Sequence, residues 1–458
     1  MVGAAAQASD HTSVPHVLVV PYQAWGHMQA LLDLATCGPP SHRRDHAGHG
    51  APPHAAPAEH SSSVRSLSFP FTAADHDTLG PAPVGTDIHM LGGALRAPLS
   101  KWMMKQSRNS DGEEERVAAV ISDFFCSRCE RRRRASHGWC LRRSACSPVA
   151  TAATHLLFRC TPRSPLRQRR RFRGGYAVSF PELPGAPAFP WQQISRMYRG
   201  CVERGGEHAE AIKDNFLRNL ESAAFVCNTC CPIEGRYLDA QPLVDLAGKR
   251  VWAVGPVAPV LPSITGGDEG SAASGDDVTA WLDASPDASV AYVSFGTMMV
   301  PPPPRWTGRS RTGARRRGQD GAGAPRVGAA DGRAAAPRGG VLRHALRVEL
   351  GAAVLEAAAA GVPMLAWPMA ADQFFNARLV VEEARVAAAA SWGAFGAVPD
   401  VEQLARSLAE VVGEGGANMR ARTGELKARV AEAVKEGGSS RLELDGLVQE
   451  LRELAGGR

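Results

Sequence analysis

A histidine and an aspartate each come directly after a short apolar run that is typical of a buried parallel strand. His27 follows HVLVVPY (16–22), and Asp123 lies near the end of VAAVISDFF (117–125). Two such strand ends can bring the carboxylate to one imidazole nitrogen while the other nitrogen faces a bound hydroxyl. An imidazole titrates near neutral pH and can therefore take up a proton. By position alone, the simpler interpretation of His27 is a turn histidine near a helix N-terminus, and Asp123 could equally cap a loop.

A second set of polar side chains lies in the most regular stretch of the chain, residues 354–383. VLEAAAA predicts a short helix that Gly361 ends and Pro363 cannot continue, and PMLAW predicts a buried strand. Asp372 and Gln373 follow that strand and open a second helix. They therefore lie at the carboxyl end of the strand, where α/β sheets bind ligands. A helix N-cap pair is the alternative, because aspartate favours that position.

A third candidate is the turn at the end of SVAYVSFGT (289–297), which predicts a buried strand running into a glycine turn. Ser294, Gly296 and Thr297 could hold a phosphate there. Glycine permits close backbone approach, and a hydroxyl with backbone amides can bind an anion. A plain tight turn fits the same letters equally well.

The elements that position these residues form two α/β units in a chain of 458 residues, which is long enough for two or three domains. Residues 1–262 are the predicted first domain and residues 278–440 the predicted second. A linker rich in Gly, Ser and Asp joins them at 263–277, and a final helix follows at 441–458.

Three windows lack a regular apolar pattern, namely 36–63, 128–173 and 301–353. Arg, Gly, Ala, Pro, Ser and His dominate their composition, as they do when GC-rich coding sequence is read out of frame. Frame errors in the gene model are therefore one hypothesis, and disordered inserts are the other. Translating the locus in its other two frames would decide between them.

The net charge of +6 conceals an uneven distribution, with 46 arginines and only six lysines. Windows 128–173 and 305–347 together carry 25 arginines and three acids, a charge of +22, which leaves −16 for the remainder. An acidic remainder argues against a nucleic-acid-binding protein.

The chain has no run of 18 apolar residues and no signal-peptide pattern, so neither a transmembrane helix nor secretion is expected. Ten cysteines at this length favour a reduced, cytoplasmic setting over a disulfide framework.

Several stretches resemble the plant UDP-glycosyltransferases. PYQAWGHMQALLDLA is similar to the opening motif of that family, and VAYVSFGT is similar to its strand and phosphate turn. VLEAAAAGVPMLAWPMAADQFFNARLVVEE resembles the second half of its nucleotide-sugar signature. The resemblance implies an α/β protein of the GT-B fold, with two Rossmann-like domains facing a cleft and the final helix returning to the first domain.

The same resemblance implies an enzyme that moves glucose, or another hexose, from a UDP-sugar to a hydroxyl of a small plant metabolite such as a flavonoid. His27 would be the general base of an inverting mechanism, and Asp123 would support it. A glutamine at the position of Gln373 is typical of family members that use glucose donors. Glu356 would bind the ribose; the alternative is an ordinary exposed helix glutamate. The implied donor-binding residues are Ser294, Gly296, Thr297, Glu356, Asp372 and Gln373.

The implied partners are UDP-glucose, as a co-substrate, and a small hydroxylated acceptor. No metal or cofactor is expected, nor a nucleic-acid or membrane partner, and the chain is expected to be a monomer.

The chain departs from the family pattern in the part of the signature that binds phosphate. The segment H-C-G-W-N-S, whose histidine and helix start bind the pyrophosphate, is absent, and VLRH is followed by ALRVELGAA. The opening motif has Gln23, Trp25 and Ala30 where the family has Pro, Gln and Pro. The alternative function is therefore a catalytically impaired homologue, or a defective gene model, that keeps the fold but binds the donor weakly.

Overall fold

The structure is a computed structural model, and it describes most of the first predicted domain and the last hundred residues of the chain. The described residues are 15–22, 25–36, 44–49, 64–69, 95–105, 117–129, 139–144, 148–159, 177–239, 249–257, 352–393 and 399–456. The predicted linker at 263–277 lies outside them, so the domain boundaries stay a prediction.

The first domain is built on a parallel sheet of seven strands, with a small antiparallel hairpin beside it. The strands of the domain are β1 (His16–Val20), β2 (Arg44–His49), β3 (Val64–Phe69), β4 (Val117–Asp123), β5 (Trp139–Ser144), β6 (Ala177–Ser179), β7 (Ala188–Pro190), β8 (Ala224–Cys227) and β9 (Arg250–Ala253). The order in the sheet is β3-β2-β1-β4-β5-β8-β9, and β6 pairs with β7 in the hairpin. The strand order therefore reverses between β1 and β4, which makes that boundary the topological switch point where α/β sheets bind ligands.

Helices connect and cover these strands. The helices are α1 (Trp25–Thr36), α2 (Pro148–Arg159), α3 (Arg196–Arg204), α4 (Gly206–Asn219), α5 (Cys231–Asp239), α6 (Ala352–Ala360), α7 (Gln373–Arg378), α8 (Val401–Val412), α9 (Ala417–Val434) and α10 (Ser439–Gly456). Residues 95–105 are also helical, and a 3-10 segment at Phe124–Cys129 follows β4 directly. No helix within the described ranges is long and apolar enough to cross a membrane.

The stretch at 354–383 folds as its sequence predicts. Helix α6 ends at Gly361, whose φ of +71° is the left-handed conformation that glycine adopts at a helix C-terminus. Strand β10 (Met364–Ala366) follows and pairs in parallel with β11 (Ala387–Ala389). Helix α7 and a π-helical turn at Leu379–Glu383 connect these two strands.

Helix α10 returns from the second α/β unit to the first sheet. Leu447 and Leu451 are buried in one cluster with Val19 of β1, Ile121 of β4 and Trp252 of β9. The Arg250 guanidinium also donates a hydrogen bond of 3.0 Å to the Glu443 carboxylate, although this pair is exposed and contributes little. The apolar contact is therefore what holds the last helix against the first domain.

Two of the windows that lack a regular apolar pattern nevertheless contain regular elements. Window 36–63 contains β2, and window 128–173 contains β5 and α2. Strand β2 lies between β1 and β3, and β5 lies between β4 and β8, so backbone hydrogen bonds from both sides define them. Those bonds do not depend on the side chains, which is why the apolar pattern gave no signal. Window 301–353 lies outside the described residues except where α6 begins.

Helix α2 carries a buried histidine that should make the fold sensitive to acid. His155 is 1% exposed, its ring meets Phe225 edge-on at 6.0 Å, and burial lowers its pKa from 6.5 to about 4. The unfolded chain binds a proton as the pH falls below 6.5, whereas the folded protein binds it only near pH 4. The stability that the neutral His155 contributes is therefore fully present above pH 6.5 and is lost as the pH falls towards 4.

We expect His155 to remove about 3 kcal/mol of folding free energy between pH 7 and pH 4. Urea unfolding measured across that range should show the loss in the wild-type protein and a smaller loss in His155→Gln, which has no titrating ring. Equal slopes for the two proteins would contradict this assignment.

Candidate active site

His27 and Asp123 meet at the switch point of the first sheet. His27 lies in the first turn of α1, which begins just beyond the carboxyl end of β1, and Asp123 is the last residue of β4. These two strands are neighbours, with Val20 paired to Ser122. The His27 Nδ1 atom lies 2.9 Å from the Asp123 Oδ2 atom, so the structure brings together the two residues that the sequence placed at adjacent strand ends.

The hydrogen bond defines the chemistry available to the imidazole. The Asp123 side chain is fully buried, whereas the His27 side chain is 15% exposed. Because a carboxylate only accepts hydrogen bonds, Nδ1 carries the proton and Nε2 is the basic nitrogen. The second carboxylate oxygen, Oδ1, accepts a hydrogen bond of 3.0 Å from the backbone N–H of Phe125. Both oxygens of the buried carboxylate are thus held, and the histidine is fixed as a potential proton acceptor.

Three aromatic rings, none of which the sequence pattern singled out, surround the His27 imidazole. Phe125 stacks on the imidazole with 5.1 Å between ring centres, Tyr22 meets it edge-on at 5.2 Å, and Phe124 lies at 5.7 Å. All three lie just beyond the observed strands, Tyr22 two residues after β1 and the two phenylalanines directly after Asp123 at the end of β4. Aromatic residues immediately beyond two adjacent strand ends were the signal that could have found them. They restrict the orientation of the imidazole and give its surroundings an apolar, flat character.

The two polar residues after β10 form hydrogen bonds within their own turn. The Gln373 Oε1 atom accepts hydrogen bonds from the backbone N–H groups of Met369 and Ala370, at 2.8 and 3.1 Å. The Asp372 Oδ2 atom accepts one of 3.0 Å from the Asn376 side chain. Asp372 occupies the N-cap position of α7, as the N-cap interpretation predicts, but its side chain forms no capping hydrogen bond.

The turn before Asp372 is strained, which is consistent with a specific task. Ala371 is exposed and has a φ of +53°, a left-handed conformation that a residue with a Cβ rarely adopts. Such conformations persist where the surrounding structure enforces them, often at ligand-binding loops. The hydrogen bonds of Gln373 to the same turn supply that enforcement. They also orient the amide so that its Nε2 group remains as a donor.

The other predicted donor-binding residues fall into two groups. Glu356 lies half-buried in α6, on the element that precedes β10, whereas Asp372 and Gln373 follow that strand. Ser294, Gly296 and Thr297 lie outside the described residues. Their proposed contact with phosphate therefore stays a prediction.

Helix α7 packs against the hairpin of the first domain. The Phe375 ring lies 4.3 Å from that of Phe189 and 5.7 Å from that of Phe180, and the Arg378 guanidinium lies 4.2 Å above the Phe189 ring. These contacts join the helix that begins with Gln373 to the domain that carries His27.

The turn after α7 is held to the first domain by a polar contact. The Tyr237 hydroxyl donates a hydrogen bond of 2.6 Å to the Glu383 carboxylate, which Arg236 also contacts at 3.1 Å. Burial, together with this hydrogen bond, raises the pKa of Tyr237 well above its ordinary value, so the phenol remains a donor. The Gln193 side chain donates a further bond to the Trp392 carbonyl. The second unit is therefore anchored to the first domain at the end of the α7 connection and again just beyond β11.

Comparison with known proteins identifies the family. The chain is 31% identical to a flavonol 3-O-glucosyltransferase of Arabidopsis thaliana over 494 aligned positions, which cover 96% of each chain. The chain belongs to the plant UDP-glycosyltransferases. A scan against protein-family models gives no match.

Solved structures show the same fold. A UDP-glycosyltransferase of Siraitia grosvenorii in complex with UDP superposes with a TM-score of 0.68 at 18% identity, over 95% of this chain and 99% of that one. UGT89C1 of Arabidopsis thaliana complexed with quercetin gives a TM-score of 0.63 at 22% identity, over 96% and 100%. The fold is therefore GT-B, as the sequence resemblance implied, and the UDP-glycosyltransferase brings His27 and Asp123 together at the switch point of its first domain.

The hydrogen bond between these two residues gives a direct prediction. In Asp123→Asn the amide can present an N–H group to Nδ1 and favour the wrong tautomer, as in a serine-protease triad. We expect kcat to fall by about 10²- to 10⁴-fold, with little change in the KM for the UDP-sugar.

Steady-state kinetics with purified wild-type and variant enzyme would measure this loss. Asp214→Asn is the matched control, because Asp214 pairs with Arg218 on the accessible side of α4 and should leave kcat unchanged. Equal activity of Asp123→Asn and the control would exclude a role for the Asp123 carboxylate.

Proposed function

We propose that this UDP-glycosyltransferase transfers glucose from UDP-glucose to a phenolic hydroxyl of a flavonoid-type acceptor, with His27 as general base. The observation that carries the proposal is the hydrogen bond of 2.9 Å between the His27 Nδ1 atom and the buried Asp123 carboxylate. It fixes the tautomer in which Nε2 can accept the proton of the acceptor hydroxyl.

The reaction is a single displacement. The acceptor oxygen attacks the anomeric carbon of glucose as its proton passes to the His27 Nε2 atom. The bond between that carbon and the UDP oxygen breaks, and UDP leaves with the electron pair. Attack opposite the leaving group inverts the anomeric configuration. The developing imidazolium is stabilised by the Asp123 carboxylate beside it.

Two observations support a flat phenolic acceptor. The relative from Arabidopsis thaliana acts on a flavonol by name, and UGT89C1 was solved with quercetin. In this chain, Tyr22, Phe124 and Phe125 surround the proposed base. A phenol titrates near 10, as tyrosine does, so an imidazole can assist its ionisation in the transition state.

The experiment that tests the function combines activity and binding on the full chain. Incubation with UDP-glucose and quercetin should give a quercetin glucoside of inverted configuration, detected by mass spectrometry and NMR. His27→Gln should lower kcat by about 10²-fold or more while calorimetry shows unchanged UDP-glucose binding.

Two results would overturn the proposal. Absent UDP-glucose binding by the wild-type chain would favour the catalytically impaired homologue, which lacks the H-C-G-W-N-S segment. Full activity of His27→Gln would remove the general-base role.

The donor half of the proposal assigns the sugar hydroxyls to Asp372 and Gln373. Gln373→Glu keeps an oxygen that can accept the N–H groups of Met369 and Ala370, but it replaces the amide donor by a carboxylate. We therefore expect the turn to survive while the KM for UDP-glucose rises by about 10-fold, which corresponds to one lost hydrogen bond.

Kinetics at varied UDP-glucose and saturating acceptor would give this KM. Gln449→Glu is the matched control, because Gln449 is exposed on α10 and its side chain donates a hydrogen bond to Glu453 of the same helix. An unchanged KM in Gln373→Glu, with a normal unfolding transition, would place the sugar elsewhere.

A further inference from the structure

Helix α4 presents two buried asparagines to a single backbone carbonyl. The side-chain Nδ2 groups of Asn215 and Asn219 each donate a hydrogen bond of 3.0 Å to the carbonyl oxygen of Phe124. Both asparagines are fully buried. Their spacing of four residues places them on the same face of the helix, so both can reach one acceptor.

A third residue, Ser127, contacts the carbonyl end of the Asn215 amide, whose NH₂ end donates to Phe124. The Ser127 hydroxyl lies 2.7 Å from the Asn215 Oδ1 atom and 2.5 Å from the Asn215 backbone carbonyl oxygen, and its single proton is shared between these two acceptors. The carbonyl end of the amide therefore faces Ser127, and its NH₂ end faces Phe124. The 3-10 segment after β4 is consequently bound to α4 at two positions, Phe124 and Ser127.

The carbonyl that these asparagines hold belongs to the peptide unit that supports Asp123. The C=O of Phe124 and the N–H of Phe125 are parts of one planar peptide, and that N–H donates to the Asp123 Oδ1 atom at 3.0 Å. Fixing the direction of the C=O therefore fixes the direction of the N–H. Two donors on the carbonyl also polarise the peptide, which strengthens its N–H as a donor.

We propose that Asn215 and Asn219 are positioning residues of the transferase. Through the peptide between Phe124 and Phe125 they orient the Asp123 carboxylate, and through Asp123 they hold His27 in its reactive tautomer. This inference rests on the proposed function, in which His27 is the base.

The position of the asparagines within the helix supports this role. The same helix buries Ala211, Ile212 and Phe216, so its core-facing side is otherwise apolar. Burying an amide there is costly unless its hydrogen bonds are made. Within the described part of the chain, the Asn219 Oδ1 atom is buried without a hydrogen-bond partner, so only the donor end of that amide is used. An amide used in this way serves the Phe124 carbonyl.

The test replaces each donor with an apolar side chain of similar size. Asn215→Leu and Asn219→Leu should each lower kcat for a flavonol by about 10-fold, and the double variant by about 100-fold, because small misplacements of catalytic groups are costly. The KM for UDP-glucose should not change, since the donor half lies on other elements. Asn219→Ser is a more conservative change that keeps a hydroxyl donor, and it should retain more activity than Asn219→Leu. It tests the proposal even if the leucine variants fail to fold.

A second acceptor separates positioning of the base from general destabilisation. An acceptor such as 4-nitrophenol is already ionised in mildly alkaline buffer and needs little help from a base. The asparagine variants should therefore lose much less activity with 4-nitrophenol than with the flavonol. Ile212→Ala, a core truncation on the same helix, should lower the unfolding temperature without changing the ratio of the two rates.

The outcomes distinguish this inference from the proposed function. If His27→Gln is inactive while the asparagine variants match the wild type, the positioning role is wrong and the function stands. Equal losses with both acceptors, in the asparagine variants and in Ile212→Ala, would show a purely structural role. If His27→Gln is fully active, the proposed function itself fails.

Discussion

The buried carboxylate of Asp123 is the constraint on which the part of the site in the first domain depends. A carboxyl group at 0% exposure is tolerated only if protein groups replace the hydrogen bonds that water would otherwise make. Here the Phe125 N–H and the His27 Nδ1 atom do so. The end of β4, the 3-10 turn after it and the start of α1 must therefore be positioned together. The parallel pairing of β1 with β4 makes this possible, because it places both strand ends at the same edge of the sheet.

The part of the site in the second α/β unit is positioned mainly by the packing of helix α7. Asp372 and Gln373 stand at the beginning of α7, and Phe375 and Arg378 of the same helix pack on the hairpin ring of Phe189. Aromatic contacts of this kind add to the free energy of apolar burial and restrict how the helix can rotate. Since α10 also packs on the first sheet, the second unit contacts the first through both α7 and its final helix. Neither contact involves the residues proposed to bind substrates.

The local apolar pattern of the sequence predicted which residues lie at strand ends. It could not predict hydrogen bonds between residues that are far apart in the sequence. Apolar runs mark strands and their ends, and so placed His27, Asp123 and the unit at 354–383, whereas the roles proposed for these residues came from the family resemblance. Asn215 and Asn219 looked like ordinary helix residues, because their acceptor is 91 and 95 positions away. Strand β2 was missed since its letters, RDHAGH, carry no β-rich pattern and its neighbours define it. The hydrogen bonds of Gln373 within its turn were equally unreadable from composition.

Burial of the pair formed by His27 and Asp123 also favours the chemistry proposed for it. Before transfer, the neutral imidazole and the carboxylate together carry one negative charge. In the proposed reaction Nε2 takes up the acceptor proton, and the pair becomes an imidazolium and a carboxylate with no net charge. A poorly solvated environment disfavours net charge and strengthens the attraction between close opposite charges. The free energy spent on burying Asp123 is thus partly recovered as the proton moves. A solvent-exposed histidine with a surface aspartate would gain much less, because water would already screen both groups.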